Sequence, residues 1–154
     1  MRIDDVCDYI IARCAEAGVG LNLLKLQKLL YYVQAWHLAF FGTPLFGGKF
    51  QAWVHGPVNR EVYDRFKDEK SLYSAVTVDD VREGFDGSTL SDEARRHINK
   101  ILNTYGAFTG DQLEEMTHSE DPWIRARDGY RPTQRCEVLI DENVMSDYYR
   151  ARLQ

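Results

Sequence analysis

The sequence contains no hydrophobic run long enough to cross a membrane and no excess of positive charge. No apolar stretch approaches the roughly 18 residues of a membrane-spanning helix. The first residues, Met1 to Asp5, bring acids and no long apolar core, so we expect no signal peptide. Nineteen Lys and Arg against 24 Asp and Glu give a net charge of −5, which disfavours general binding to nucleic acid or anionic lipid. The sequence therefore predicts a soluble, cytoplasmic protein that binds no membrane.

Cysteine and histidine are too few and too scattered for a disulfide framework or a metal centre. The three cysteines are an odd number without C-x-x-C spacing. On one helix, Cys7 and Cys14 would lie about 10 Å apart, beyond the reach of a disulfide. No two of the four histidines have the i, i+4 spacing of a helical metal pair. We expect free thiols that are buried or half-buried, and no metal.

Motifs for catalysis are missing as well. Gly47-Gly48-Lys49 resembles part of a phosphate loop, but the remaining G-x-x-x-x-G-K-[ST] frame is absent. The run from Thr117 to Asp121 contains Ser, His and acids, yet neighbours in one turn do not converge on a common point. An enzyme whose site combines His37, His55 and His118 is the catalytic alternative. The prediction from the residues is a protein that is not an enzyme.

What the sequence does contain is a core for one domain, residues 1–154, since 44% of its residues are apolar. An apolar stripe at helical spacing runs from Ile3 to Cys14 and ends before Gly18. The stretch Asn22–Phe41, closed by Gly42, is apolar nearly all round in its second half, which predicts a central buried helix. The predicted fold class is mainly α: a single compact helical domain around that helix, with a small β-hairpin.

The remaining elements follow from turn and cap residues. Pro44–Phe46 and Phe50–Val54 predict a hairpin across Gly47–Gly48, and Pro57 suits the first position of a third helix. Residues 68–90 are irregular, with a short helical or extended piece near Val76–Val81. Cys136–Ile140 is a candidate strand. Further helices are predicted to begin at four caps, namely Ser91, Thr109, Asp121 and Asp141.

One segment departs from the acidic background. From Trp123 to Arg135, four arginines (Arg125, Arg127, Arg131 and Arg135) and the single acid Asp128 give a local charge of +3. Tyr130 lies among them. Arginine with aromatic residues is typical of protein interfaces and also suits single-stranded nucleic acid. A solvated loop paired with nearby glutamates is the third interpretation.

Several blocks of the sequence together resemble a known family. Leu24-Lys25-Leu26-Gln27-Lys28-Leu29-Leu30-Tyr31-Tyr32 leads to Trp36-His37, followed by Pro44-Leu45-Phe46, Ala52-Trp53, Gly56-Pro57-Val58 and Val62-Tyr63. Leu113, Thr117-His118 and Pro122-Trp123 continue the pattern. In their order and spacing these blocks resemble the Panacea domain of the SocA-like antitoxin family, over roughly residues 5–150. Residues 68–90 match nothing in that pattern.

The resemblance implies a non-enzymatic antitoxin that binds a cognate protein toxin and needs no cofactor. The founding member of the family is similar to a proteolytic adaptor, which implies the ClpX unfoldase of ClpXP as a further partner. Other members neutralise their toxins by direct contact. The alternative is a nucleic-acid-associated regulator that uses the basic segment Arg125–Arg135.

Partner contacts are predicted at five residues with amphipathic character: Tyr63, Trp123, Arg125, Arg127 and Tyr130. Tyr31, Tyr32 and Trp53 share this character and are also suited to an interface. Large apolar residues of the central helix are predicted to be core.

Overall fold

The computed structural model describes residues 1–153, which form seven helices and one two-stranded antiparallel sheet. A short 3-10 turn, Val78–Asp80, interrupts the long loop between the third and fourth helices. The prediction of a mainly α fold with a small β-hairpin is confirmed. In chain order the elements are α1 (Ile3–Ala17), α2 (Leu23–Phe41), β1 (Phe50–Trp53), β2 (Gly56–Asn59), α3 (Arg60–Phe66), α4 (Asp92–Tyr105), α5 (Gly110–His118), α6 (Asp121–Ala126) and α7 (Glu142–Arg150).

Helix α2 is the centre of the structure, as predicted. It begins where the Asn22 side chain accepts a hydrogen bond from the Lys25 amide at 2.8 Å, and it ends at Gly42 in the left-handed conformation. Every residue from Leu23 to Ala35 is buried, because α1, α4, α5, α7 and β2 pack around the helix. Even so, none of the described helices is both long and apolar enough to cross a membrane.

The free edge of β2 is satisfied by two polar side chains of α2. The Gln27 amide accepts a hydrogen bond from the Asn59 backbone N–H at 2.9 Å and donates one to the Asn59 carbonyl at 3.1 Å. The Lys28 ammonium donates to the Pro57 carbonyl at 3.0 Å. Buried backbone groups need such partners. These two residues therefore fix the hairpin against the central helix.

The hairpin exists, but its strands differ from the prediction. The pairing of Pro44–Phe46 with Phe50–Val54 across Gly47–Gly48 is wrong. Instead β1 pairs with β2 in antiparallel register, with Trp53 opposite Gly56. The turn consists of Val54 and His55, and Gly56, which begins β2 directly after it, has a φ of 101°, a conformation that favours glycine.

Residues 44–46 form no strand because a side chain of α2 supplies their hydrogen bonds. The Gln34 carbonyl oxygen accepts from the Leu45 amide at 2.9 Å, and its amino group donates to the Phe46 carbonyl at 2.8 Å. The loop is therefore held against the helix that precedes it.

Pro57 lies inside β2 and does not begin a helix, so that prediction is also wrong. It faces Ala52, whose amide points away from β2 and donates to the Val138 carbonyl at 2.9 Å. This position requires no N–H from Pro57. Helix α3 begins after Asn59, whose side chain accepts a hydrogen bond from the Val62 amide at 3.2 Å.

The predicted helix starts in the second half are confirmed with one shift. Side chains of Ser91, Thr109 and Asp141 cap α4, α5 and α7, and Thr109 forms the predicted capping box. Asp121 is the first residue of α6, and Glu120 occupies the cap position without a side-chain cap bond. The Glu120 carboxylate is engaged elsewhere, by two tyrosines described below.

The candidate strand Cys136–Ile140 runs beside β1 without forming a regular strand. Leu139 makes an isolated antiparallel bridge to Gln51, and the Ile140 amide donates to the Phe50 carbonyl at 2.8 Å. The hairpin is therefore flanked on both sides, by this segment and by α2.

The irregular segment 68–90 is held to α1 by a buried carboxylate. Asp8 is fully buried, and its two oxygens accept from Arg65 of α3 and from Arg82 of the loop, each at 2.6 Å. Arg82 also reaches Asp5 at 2.6 Å. The short piece predicted near Val76–Val81 is the 3-10 turn just before Arg82.

All three cysteines are free and buried, as predicted. Burial raises the pKa of the Cys7 thiol to about 12 and also raises the pKa of Cys14. A raised pKa keeps a thiol protonated and unreactive at neutral pH.

Candidate functional site

Two of the five predicted contact residues are buried behind the hairpin. Trp123 is 9% exposed, and its indole N–H donates to the Trp53 carbonyl at 2.8 Å. Its ring stacks on His118 with centroids 4.0 Å apart. Trp123 therefore positions the end of β1 and presents little surface of its own.

Arg127 is 5% exposed and bonds to backbone carbonyls on two sides. Its guanidinium donates to the Ala52 carbonyl of β1 at 2.8 Å. It also donates to the carbonyls of Arg131 at 2.8 Å and Gln134 at 2.5 Å. Its charged group lies 5.1 Å from the Trp123 ring centroid. Arg127 therefore joins the loop 131–134 to the hairpin.

We expect Arg127→Lys to lower the free energy of unfolding by about 1 to 2 kcal/mol, because an ammonium cannot bond to carbonyls on both sides. Amides of residues 131–137 should also exchange hydrogen faster, which mass spectrometry would detect. Arg125→Lys is the matched control and should change neither quantity, since the Arg125 side chain is exposed. Equal stability of the two variants would contradict the bridging role of Arg127.

A groove of about 530 Å³ opens between the hairpin, α3 and the segment 133–137, and we call it the hairpin groove. Tyr63, the third predicted residue, lies in it with its ring centroid 4.9 Å from that of Trp53. The Arg60 guanidinium lies 5.6 Å from the Trp53 centroid and 5.4 Å from that of Tyr63. The lining also includes four aliphatic residues: Leu23, Val54, Val58 and Leu72.

Cations along the hairpin groove share their carboxylates. Glu137 accepts from Arg60 at 2.9 Å and from Arg135 at 3.2 Å. Asp64 lies 3.7 Å from Arg60 and 3.5 Å from Lys67. Two carboxylates thus serve three cations, and this side of the groove keeps a positive charge.

Arg125 and Tyr130 are exposed, but they lie outside the hairpin groove. Ile124, 44% exposed, directly precedes Arg125 on α6. The structure therefore separates the five predicted residues into three groups. Tyr63 lines the groove, Trp123 and Arg127 support it from behind, and Arg125 and Tyr130 lie beyond it. Their contact with a partner stays a prediction.

Tyr31 and Tyr32 are fully buried, so the expectation that they suit an interface is wrong. The Glu120 carboxylate accepts hydrogen bonds from Tyr32 at 2.8 Å and from Tyr149 at 2.7 Å, and the hydroxyls of Tyr31 and Tyr149 are 3.1 Å apart. Tyr32 stacks on Tyr105 with centroids 4.1 Å apart. Burial gives these amphipathic side chains partners inside the protein, where they join α2 to α7.

Glu120→Gln is expected to stabilise the fold increasingly as pH rises. Burial raises the pKa of the Glu120 carboxyl above its ordinary 4.5, so the folded state holds this proton more tightly than the unfolded state does. That stabilising contribution is complete below the ordinary pKa and is lost as pH rises through the raised pKa. Glutamine carries no such charge and still accepts both tyrosine bonds.

The check is urea unfolding of wild type and Glu120→Gln between pH 4.5 and 8. The difference in unfolding free energy should grow in favour of the variant over this range. A difference that is constant with pH would contradict the assignment.

The three histidines of the catalytic alternative do not form one site, because His55 and His118 lie near each other at the hairpin turn and His37 does not. His37 lies near the end of α2, with its ring centroid 5.1 Å from that of His97. His55 pairs with Glu114 at 3.1 Å, and His118 stacks on Trp123 near the hairpin turn. Burial lowers the pKa of His118. Within residues 1–153, no three His, Cys, Asp or Glu side chains are placed to hold a metal ion.

Lys28 is the most perturbed basic group near the hairpin, but it has no route to a substrate. Burial lowers its pKa to about 7, against the opposing effect of nearby Glu114. The side chain is fully buried, and a Cβ on Gly56 would collide with it. Its environment indicates a structural role in the hairpin and the central helix.

Sequence reasoning missed the cations of α3 that line the hairpin groove. Arg60 lies three residues before Tyr63, and Lys67 lies four residues after it. This spacing places all three on one helix face. That spacing was available as a signal. The sequence marks Arg135 only as part of the basic segment and not as a contact residue.

Comparison with known proteins identifies the family of the chain. The family model described as "Antitoxin SocA-like, Panacea domain" matches residues 26–124, a span that includes the hairpin, α3 and Trp123. The chain is similar to Antitoxin SocA of Caulobacter vibrioides (strain NA1000 / CB15N), with 27% identity over 151 residues, 94% of this chain and 80% of that protein. No solved structure matches the chain. Since the matched region exceeds half of the sequence, the chain belongs to the SocA-like antitoxin family and carries its Panacea domain.

Proposed function

We propose that this protein is the antitoxin of a toxin–antitoxin pair and that it neutralises a protein toxin by binding it. The observation that carries the proposal is the family match over residues 26–124. The same region contains the hairpin, α3 and Trp123, which form and support the hairpin groove. Its Trp, Tyr and Arg side chains are the residue types that dominate binding energy in protein interfaces.

Neutralisation has two routes. In the first, the bound antitoxin covers the working surface of the toxin. In the second, the antitoxin is a proteolytic adaptor that delivers the toxin to ClpXP, which requires a second surface for the ClpX unfoldase. The two routes differ in one quantity, the lifetime of the toxin in the cell.

The proposal includes action without catalysis or a cofactor, in the cytoplasm. Burial protects the Cys7 and Cys14 thiols from ionisation, and His37 lies apart from the other two histidines of the catalytic alternative. The nucleic-acid alternative has less support. Of the basic segment Arg125–Arg135, Arg127 is buried and committed to backbone carbonyls.

The test is co-expression with the protein encoded by the neighbouring reading frame. That protein alone should stop growth, and growth should return when this antitoxin is added. If the rescued cells contain normal amounts of the toxin, occlusion is the route. If the toxin disappears only when ClpX is present, delivery is the route. Persistent growth arrest with both proteins folded would overturn the proposal.

A further inference from the structure

We propose that the hairpin groove is the surface that takes up the toxin, and that its occupant is a toxin segment with an aromatic or aliphatic side chain flanked by carboxylates. This inference rests on the proposed function and deepens it. It moves the interface away from Arg125 and Tyr130 and places it at Tyr63 together with Arg60 and Arg135.

The apolar part of the occupant follows from the lining. Trp53 and Tyr63 are half-buried, and their rings meet at an angle of 62°, so part of each ring remains open to the groove. Leu72 and Val58 contribute further apolar surface. The cavity of about 530 Å³ is larger than one side chain and accepts an apolar anchor with its neighbours. Removing such a side chain from water is the main favourable term in association.

The acidic part follows from the charges. Within residues 1–153, Arg60, Lys67 and Arg135 share Asp64 and Glu137, while Lys70, the fourth cation of the lining, pairs with Asp80. This excess lies in a protein whose net charge is −5. A guanidinium has five donors, so a carboxylate from the partner can bond without displacing the existing pair. Exclusion of water on docking would strengthen that contact.

A protein segment fits this surface better than nucleic acid does. Glu137 lies within the lining between Arg60 and Arg135, where it would repel a phosphate chain. A peptide can place single carboxylates beside the arginines and an apolar residue over the rings. Trp123 and Arg127 fix β1 from behind, which reduces the entropy lost when the groove binds a partner.

The experiment measures binding of the purified neighbour-encoded protein to four variants by calorimetry. Tyr63→Ala and Arg135→Glu change the groove. Tyr130→Ala and Arg125→Glu are matched controls that make the same changes at exposed residues outside it. We expect each groove variant to bind at least tenfold more weakly and each control to stay within twofold of wild type. Circular dichroism and thermal unfolding verify the fold.

Salt and nucleic acid provide two further arms. Raising NaCl from 0.05 to 0.5 M should weaken binding of wild type more than binding of Arg135→Glu, because the lost contact is ionic. A 20-nucleotide oligo(dT) should bind neither protein tightly. If the groove variants bind the toxin normally, this inference is overturned and the proposed function stands. The same holds if wild type binds oligo(dT) tightly and only the groove variants lose that binding. A wild type that fails to bind the toxin would overturn the proposed function itself.

Discussion

Asp8→Ala is expected to lower the free energy of unfolding by about 3 to 5 kcal/mol, the largest loss of stability that we expect from a single substitution. Asp8 is fully buried on α1, and its carboxylate serves both Arg65 and Arg82 at 2.6 Å. Arg65 also donates to the Asp80 carbonyl at 2.9 Å, which joins α3 to the loop. Without the carboxylate, the largely buried Arg65 and the partly exposed Arg82 each lose an ion pair, and the segment 68–90 loses one of its contacts with α1.

Chemical unfolding and hydrogen exchange test this prediction together. The variant should show the stated loss of stability, and amides of residues 77–82 should lose protection first. Glu16→Ala on the same helix is the control. Its partner Arg13 is exposed, so this pair contributes at most about 1 kcal/mol. A loss at Asp8 no larger than the loss at Glu16 would contradict the role of the buried carboxylate.

Gln27→Ala is expected to cost about 2 to 4 kcal/mol, because it leaves a buried N–H and a buried carbonyl without partners, each at the lower part of the range of about 1 to 3 kcal/mol. Both groups belong to Asn59, at the end of β2, where Gln27 bonds at 2.9 and 3.1 Å. The same change opens a cavity beside the central helix, which adds to the cost.

Gln27→Met separates the two causes. Methionine fills nearly the same volume and supplies neither hydrogen bond, so most of the loss should remain. Thermal unfolding of both variants provides the measurement. If Gln27→Met is as stable as wild type, the free edge of β2 does not depend on this side chain. If only Gln27→Ala is destabilised, packing alone explains the contribution of Gln27 to stability.

The helices were predictable because their signals are local. Asn22, Ser91, Thr109 and Asp141 each cap a helix through an amide two or three residues away, and the sequence contains the whole motif. The central position of α2 followed from apolar residues on every side of it. These features depend little on the rest of the chain.

The hairpin strands were not predictable from local pattern because side chains distant in sequence decide them. Gln34 takes the hydrogen bonds of residues 44–46, and Gln27 with Lys28 satisfies the outer edge of β2. Short strands are marginal on their own, so these tertiary contacts select the pairing. A polar residue in an apolar helix was the available signal, although its partner could not be read from the sequence.

The candidate site was half predictable for a similar reason. Composition identified an arginine–aromatic segment, but it does not distinguish an arginine in solvent from one that holds backbone carbonyls. Arg125 on α6 is exposed, whereas Arg127, two residues later and just past the end of α6, is buried. Only the approach of β1 and the loop 131–134 separates their roles.

The most direct test of the central claim is the affinity between this purified protein and the product of the neighbouring reading frame, measured by calorimetry. We predict a complex of defined stoichiometry that forms without cofactor or metal. We also predict that Tyr63→Ala weakens the complex and that Tyr130→Ala does not. Absence of a complex between two folded proteins would contradict the claim that this antitoxin acts by binding its toxin.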